Sequence, residues 1–195
     1  SSLLQSQQDL RSETANLVKA LRRPEVRGRW GEIQLKRVVE LAGMIDHCDF
    51  DEQVHTGSHD RNLRPDMVVH LPGKGSIVVD AGTQLDAYLS ALEVEDEQHR
   101  QECLDNHVRH IETKVNRLAA KAYVEQFERA PAFVVLFIPG ESFLQAAAQR
   151  KPQIIETAWN RNVLIATPTT LISLLKAVAL GWQEQRLADS ARGIG

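Results

Sequence analysis

Residues 64–81 read Arg64-Pro65-Asp66-Met67-Val68-Val69-His70-Leu71-Pro72-Gly73-Lys74-Gly75-Ser76-Ile77-Val78-Val79-Asp80-Ala81. Two apolar, β-branched runs flank Pro72-Gly73-Lys74-Gly75, a turn signal, so the stretch predicts a β-hairpin. Pairing Leu71 with Gly75, or His70 with Ser76, makes paired numbers sum to 146 and sets Asp66 directly opposite Asp80 on one sheet face. Like charges so placed destabilise a sheet unless a proton, a cation or solvent relieves them. A slip of one residue would send the two carboxylates to opposite faces, so the turn decides the chemistry.

Outward from the hairpin, Phe50 to Thr56 is a short, mixed strand candidate. Gln84 to Gln126 reads as a long helical region with charged faces, broken once. The unbroken apolar run Ala132 to Ile138, ended by Pro139-Gly140, predicts a buried central strand, and Val163 to Ala166 predicts another buried strand. Helical stretches fall near Ser142 to Arg150 and Pro152 to Asn160, with Ser142 read as a cap. Thr167 as N-cap and Pro168 at the first position launch a last helix to about Asp189. The order of elements predicts one mixed sheet covered on both faces by helices, an α/β fold.

Upstream, Pro24 opens a helix from Val26 to Leu41. At 100° per residue, Val26, Trp30, Ile33 and Leu41 share one face, while Gly28, Leu35 and Val39 form a second with Glu32. That predicts a sandwiched helix with Glu32 partly buried. Leu3, Leu10 and Leu17 recur at seven, but Gln7 and Thr14 are poor companions, so residues 1–22 read as the last turns of a long helix. Beginning at Ser1-Ser2-Leu3, the chain reads as a piece of a longer one.

The 195 residues are 43% hydrophobic and 25% charged, the composition of an ordinary globular domain. No run of eighteen apolar residues occurs, so no membrane contact is expected. Cys48 and Cys103 make no disulfide or metal framework and suit a reducing, cytoplasmic setting. The net charge of −3 excludes a globally basic nucleic-acid binder. Its distribution is uneven. Lys19, Arg22, Arg23, Arg27, Arg29, Lys36 and Arg37 face only Glu25 and Glu32, a local balance of +5. Glu93 to Asp105 holds six acids against Arg100. The basic stripe suits phosphate contacts, with a solvated helix face as the simpler alternative. Arg109 and His110 reach a phosphate if the long helix packs beside the hairpin. His55, His59 and His70 lack ligand partners at metal-binding spacing, and Trp159 and Trp182 read as core.

If Glu32 joins Asp66 and Asp80 at the open end of the hairpin, the oxygen-only set suits Mg²⁺ or Mn²⁺, which can activate water at a phosphodiester. Solvated strand-end aspartates and a Glu32–Lys36 pair at i,i+4 are the simpler readings.

Arg29-Trp30-Gly31-Glu32, Arg64-Pro65-Asp66-Met67-Val68-Val69, Val78-Val79-Asp80-Ala81 and Leu85-Asp86-Ala87-Tyr88 resemble the RmuC family, bacterial proteins named for DNA recombination. Val134 to Pro139 with Glu141, Ala166 to Ile172, and Gly181-Trp182-Gln183 extend the resemblance, in order, from about Gly28 onward. It implies a restriction-endonuclease-like core of the PD-(D/E)XK type over residues 23–195, acting on DNA with Mg²⁺ or Mn²⁺. It also implies an upstream coiled coil able to form a homo-oligomer, and often a membrane anchor before that. Glu32 then matches the helix acid, Asp66 the "PD" aspartate and Asp80 the "(D/E)" position, with Arg27, Arg29, Lys36 and Arg109 expected on DNA. The motif lysine should stand at residue 82, which is Gly82, and a proline usual nearby is Gln84. Three explanations are open. The lysine comes from Lys121 or Lys114 on the long helix, Lys121 being the one assigned to the site. The domain is a weakened or dead nuclease that still binds DNA, a non-catalytic module. Or residues 82 and 84 have been artificially altered.

Overall fold

The computed structural model describes residues 3–5, 16, 19–21, 23–50, 65–82, 84–120 and 131–193. Helix α1 spans Pro24–Leu41, with proline in its first turn, where a missing N–H costs nothing. A 3₁₀ turn, Ile45–His47, leads into β1, Cys48–Phe50. Strands β2 (Met67–His70) and β3 (Ser76–Asp80) follow, then α2 (Asp86–Glu93) and α3 (Glu97–Ala120). The remaining elements are β4 (Val134–Phe137), α4 (Glu141–Arg150), α5 (Ile154–Trp159), β5 (Val163–Ala166) and α6 (Pro168–Gly193).

The five strands form one sheet in sequence order. β1, β2 and β3 run antiparallel, and β3, β4 and β5 parallel. Two-residue turns can join only antiparallel neighbours, so α2–α3 and α4–α5 are the crossovers of the parallel half. The hairpin has the register read from the turn: Met67 pairs with Val79 and His70 with Ser76, and the Leu71 N–H donates to the Gly75 carbonyl at 2.9 Å. Gly73 (φ 90°) and Lys74 (φ 73°) turn the chain in the left-handed region, which glycine adopts without a Cβ clash.

Alternation along the strands divides the core in two. Met67, Val69, Ile77, Val79, Val135 and Phe137 pack with Leu35, Val38, Val39 and Leu171 on the α1/α6 side. Leu136, Ile138, Val163 and Ile165 pack with Ile111, Val115, Leu118, Phe143 and Ile154 on the α3/α4/α5 side. Leu21 and Leu85 join this second cluster. Fully burying one such side chain contributes roughly 1.5–3 kcal/mol before entropy is counted.

The long helical region is interrupted between Glu93 and Glu97, as its pattern indicated. Four local expectations are corrected. α1 is not sandwiched and Glu32 is not partly buried: Val26, Glu32, Ile33 and Leu41 are exposed, and the sheet-facing side is Leu35, Val38, Val39 and Ala42. Ser142 is not the cap of α4, whose N-cap is Gly140. Trp159 is not core but 47% exposed, resting on Phe133 with ring centroids 5.6 Å apart. Leu3 is exposed, whereas Leu10 and Leu17, the other members of the spacing of seven, lie outside the described residues. Among the described residues no helix is long and apolar enough to cross a membrane.

Candidate functional site: carboxylates and a lysine at the strand ends

One step beyond the last paired residues of the hairpin, the register sets Asp66 beside Asp80. Both follow the even-numbered positions, which point away from the α1/α6 core and toward α3. Asp80 is 5% exposed, so its charge needs local partners. It has two. The Gly82 N–H donates to Asp80 Oδ1 at 2.9 Å, and Lys114 Nζ of α3 lies 3.2 Å from the same oxygen. The Ala81 N–H donates to Asp66 Oδ2 at 2.7 Å. The two aspartates thus hold successive amides of residues 81–82, fixing the chain where it leaves β3.

Burial pushes the Asp66 carboxyl up to about 6, against the Ala81 N–H that pulls it down. The Asp80 charge raises it further, Lys114 offsets part of that, and Glu32 adds the smallest push. Glu32 acts from the rim, since its side chain on α1 is exposed. Gly31 beside it is buried, and a Cβ there would stand 3.7 Å from the Ala81 carbonyl, so α1 passes close over the strand ends. Trp30 reaches the neighbouring end of β4, meeting Phe143 edge-on at 6.0 Å between centroids.

Among the described residues no group of three or more His, Cys, Asp or Glu side chains is gathered to hold a metal ion. Asp66 and Asp80 are brought together; Glu32 stays at their margin. The donor chemistry nevertheless fits a hard divalent cation. Mg²⁺ keeps several waters and needs only one or two carboxylates from the protein. Two carboxylates set side by side, one buried and one half-buried, repel each other, and such an ion relieves them.

The basic residues fall into different settings. Arg29, Lys36 and Arg37 of α1 and Arg109 of α3 are exposed, with the Lys36 ammonium 5.7 Å from the Phe50 ring centre. Arg27 is largely buried and ion-paired with Asp86, which ties α1 to α2. Lys121 lies outside the described residues. Around the acidic stretch Glu93 to Asp105, Glu97 pairs with Arg100, and Asp105 with Arg150 at 2.5 Å.

Glu141, which in the sequence counts only among the residues that carry the resemblance, has a structural role. Its carboxylate accepts the Thr169 N–H at 3.0 Å at the start of α6, and contacts with Thr167 and Thr169 hold its carboxyl below the usual range although burial works the other way. It clamps β4 to α6 beside the strand ends. Its signals in the sequence are its place directly after Pro139-Gly140 and its part in the resemblance; neither indicates this clamp.

Fold and cluster together define an α/β domain with a buried aspartate, a half-buried one and a lysine at one end of a mixed sheet. The RmuC family model matches residues 1–195, and the chain belongs to the RmuC family. The DNA recombination protein RmuC homolog of Zymomonas mobilis is 39% identical over 196 residues, covering 100% of this chain and 44% of that protein. The homolog of Chlamydia trachomatis is 37% identical over 202 residues, with the same coverage. The DNA recombination protein RmuC of Escherichia coli K12 is 31% identical over 196 residues, covering 98% of this chain and 41% of that protein. The chain therefore spans less than half the length of these curated relatives. No solved structure matches it.

Proposed function

We propose that this domain hydrolyses DNA phosphodiesters with Mg²⁺ or Mn²⁺ held by Asp66 and Asp80. The observation that carries the reading is the pair of aspartates on adjacent strand ends, both desolvated and both pinned by main-chain amides. Groups already fixed in this way need no reorganisation when substrate charge arrives. The ion, when bound, supplies an activated water and offsets charge on the phosphate. Glu32, exposed on α1 at the margin, orients water at the mouth of the site. Arg29, Lys36 and Arg109 take DNA phosphates on either side, and the acidic surface around Glu93 to Asp105 faces away. The relatives' name, DNA recombination protein, agrees with DNA as the partner; the place of action in this reading is the cytoplasm. An upstream coiled coil would join copies of the chain.

A second reading is favoured by Gly82. Without a lysine on the strand, the domain would bind DNA or assemble on it, limiting rearrangements without cutting. The two readings separate in an assay of supercoiled and single-stranded DNA with Mg²⁺ or Mn²⁺. The hydrolysis reading expects nicked product that disappears in Asp80→Asn. Binding without product, at any divalent concentration, overturns it in favour of the second.

A further inference from the structure

Residue 82 leaves a place beside Asp80 that another side chain fills. A Cβ at Gly82 would lie 3.2 Å from Asp80 Oδ1 and 3.2 Å from Lys114 Nζ. Gly82 is not in the left-handed region, so backbone geometry does not call for glycine here. What the missing Cβ does is leave room: the end of the Lys114 side chain stands tight against the place where a side chain from residue 82 would begin. Lys114 is 18% exposed and rises from a helix anchored by the buried Ile111, Val115 and Leu118. A rigid element therefore aims its ammonium.

We propose that Lys114 supplies from α3 the ammonium that a lysine at residue 82 would supply from the strand, so that the site is complete by a different route. The role rests on the reading of the cluster as a hydrolytic site. During hydrolysis a water oxygen forms the new bond to phosphorus while the bond from phosphorus to one sugar oxygen breaks. The water gives up a proton to solvent, and the departing oxygen takes one from solvent. Lys114 remains protonated throughout. Its ammonium donates to a non-bridging phosphate oxygen and to the attacking water, placing one positive charge where a phosphate meets two carboxylates.

The experiment is a double-substitution cycle with Lys114→Met, Gly82→Lys and the two combined. Each protein is followed by thermal melting without divalent ions, by Mn²⁺ titration calorimetry, and by plasmid cleavage. Lys114→Met is expected to lower the melting temperature by at least about 3 °C, because Asp80 loses its charged partner and keeps only the Gly82 N–H. Cleavage is expected to fall roughly 100-fold, the usual effect of removing one charge-stabilising donor. Mn²⁺ affinity stays within about threefold, since the carboxylates are untouched. Adding Gly82→Lys to Lys114→Met restores most of the melting temperature and the cleavage, whereas Gly82→Lys alone improves neither. Additive melting shifts overturn the proposal, because two lysines sharing one place must compensate. So does full cleavage by Lys114→Met, or a collapse of its Mn²⁺ binding, which would make Lys114 a structural support for the carboxylates. If the unsubstituted domain cuts nothing, the hydrolysis reading falls, and the melting cycle alone still upholds or overturns the placement of Lys114.

Discussion

On the α1/α6 side, the sheet meets Leu35, Val38, Val39, Met67, Val79, Phe137 and Leu171, a core cluster of hydrophobic side chains. On the α3 side, similar packing is interrupted by Asp80, by the lysine that reaches it, and by His107, which is fully buried. The His107 ring Nε2 donates to the Phe143 carbonyl at 2.8 Å, leaving Nδ1 buried with no hydrogen-bond partner among the described residues. Burying polar groups costs free energy even when they are partly satisfied. One face of the sheet thus serves cohesion, and the other spends part of that cohesion on placing charge.

Substitutions can break or sharpen this contrast. The largest effect is expected from Phe137→Ala in the apolar core, a loss of about 3–5 kcal/mol in urea unfolding with DNA affinity of the folded fraction unchanged. A change in DNA affinity there would blur the division between the faces.

On the polar face, His107 should make stability depend on pH. Burial, the larger influence, pushes its pKa below the ordinary histidine value, while the Phe143 bond pulls the other way. The unfolded chain therefore takes up a proton near pH 6.5 that the folded chain refuses. That contribution to stability is present above the unfolded value and is lost as pH falls below it, by at most about 1.4 kcal/mol per pH unit. Denaturation midpoints between pH 7 and pH 5 should fall less in His107→Gln than in the unsubstituted domain. Equal slopes would mean that His107 is not held neutral.

Asp66→Asn should act in the opposite sense to a core substitution. The amide oxygen can still accept the Ala81 N–H, and a half-buried like-charge neighbour of Asp80 is removed. We expect stability without divalent ions to rise by about 1 kcal/mol at neutral pH while metal-dependent cleavage is lost. A destabilised Asp66→Asn would show that the ionised carboxylate supports the fold.

The smallest effects concern the basic residues. Joint Arg29→Gln and Lys36→Gln should leave melting nearly unchanged but reduce the slope of log affinity for duplex DNA against log salt by roughly 1.8. Arg27→Gln should instead lower stability, because that side chain is engaged with Asp86. Reversed behaviour would move the DNA surface away from the exposed side of α1.

Sequence-based expectation and structure agree where the determinants are local. The Pro72-Gly73-Lys74-Gly75 turn and the two alternating runs suffice to set Met67 against Val79, and with it Asp66 beside Asp80. The run ending at Ile138 reads as a central strand because both faces of such a parallel strand are buried, and the run ending at Ala166 reads as a further buried strand, which the structure places at the sheet's edge. Helix α1 shows the limit. Its sequence offers two apolar sides at helical period, and periodicity cannot say which one the sheet takes. Close approach at Gly31 rotates Leu35, Val38 and Val39 inward, leaving Ile33 and Leu41 in water and Glu32 at the rim.

The sequence by itself determined a mixed α/β domain, its hairpin register and a pair of facing aspartates, since turn chemistry and side-chain alternation act over a few residues. Tertiary structure alone decided which lysine stands beside them. Lys114 is 34 residues from Asp80 in the chain, and its ammonium arrives at 3.2 Å only because α3 packs through Ile111, Val115 and Leu118 against this face of the sheet. That meeting depends on how a helix crosses a sheet, a geometry set by the summed packing of the core and written in no single motif.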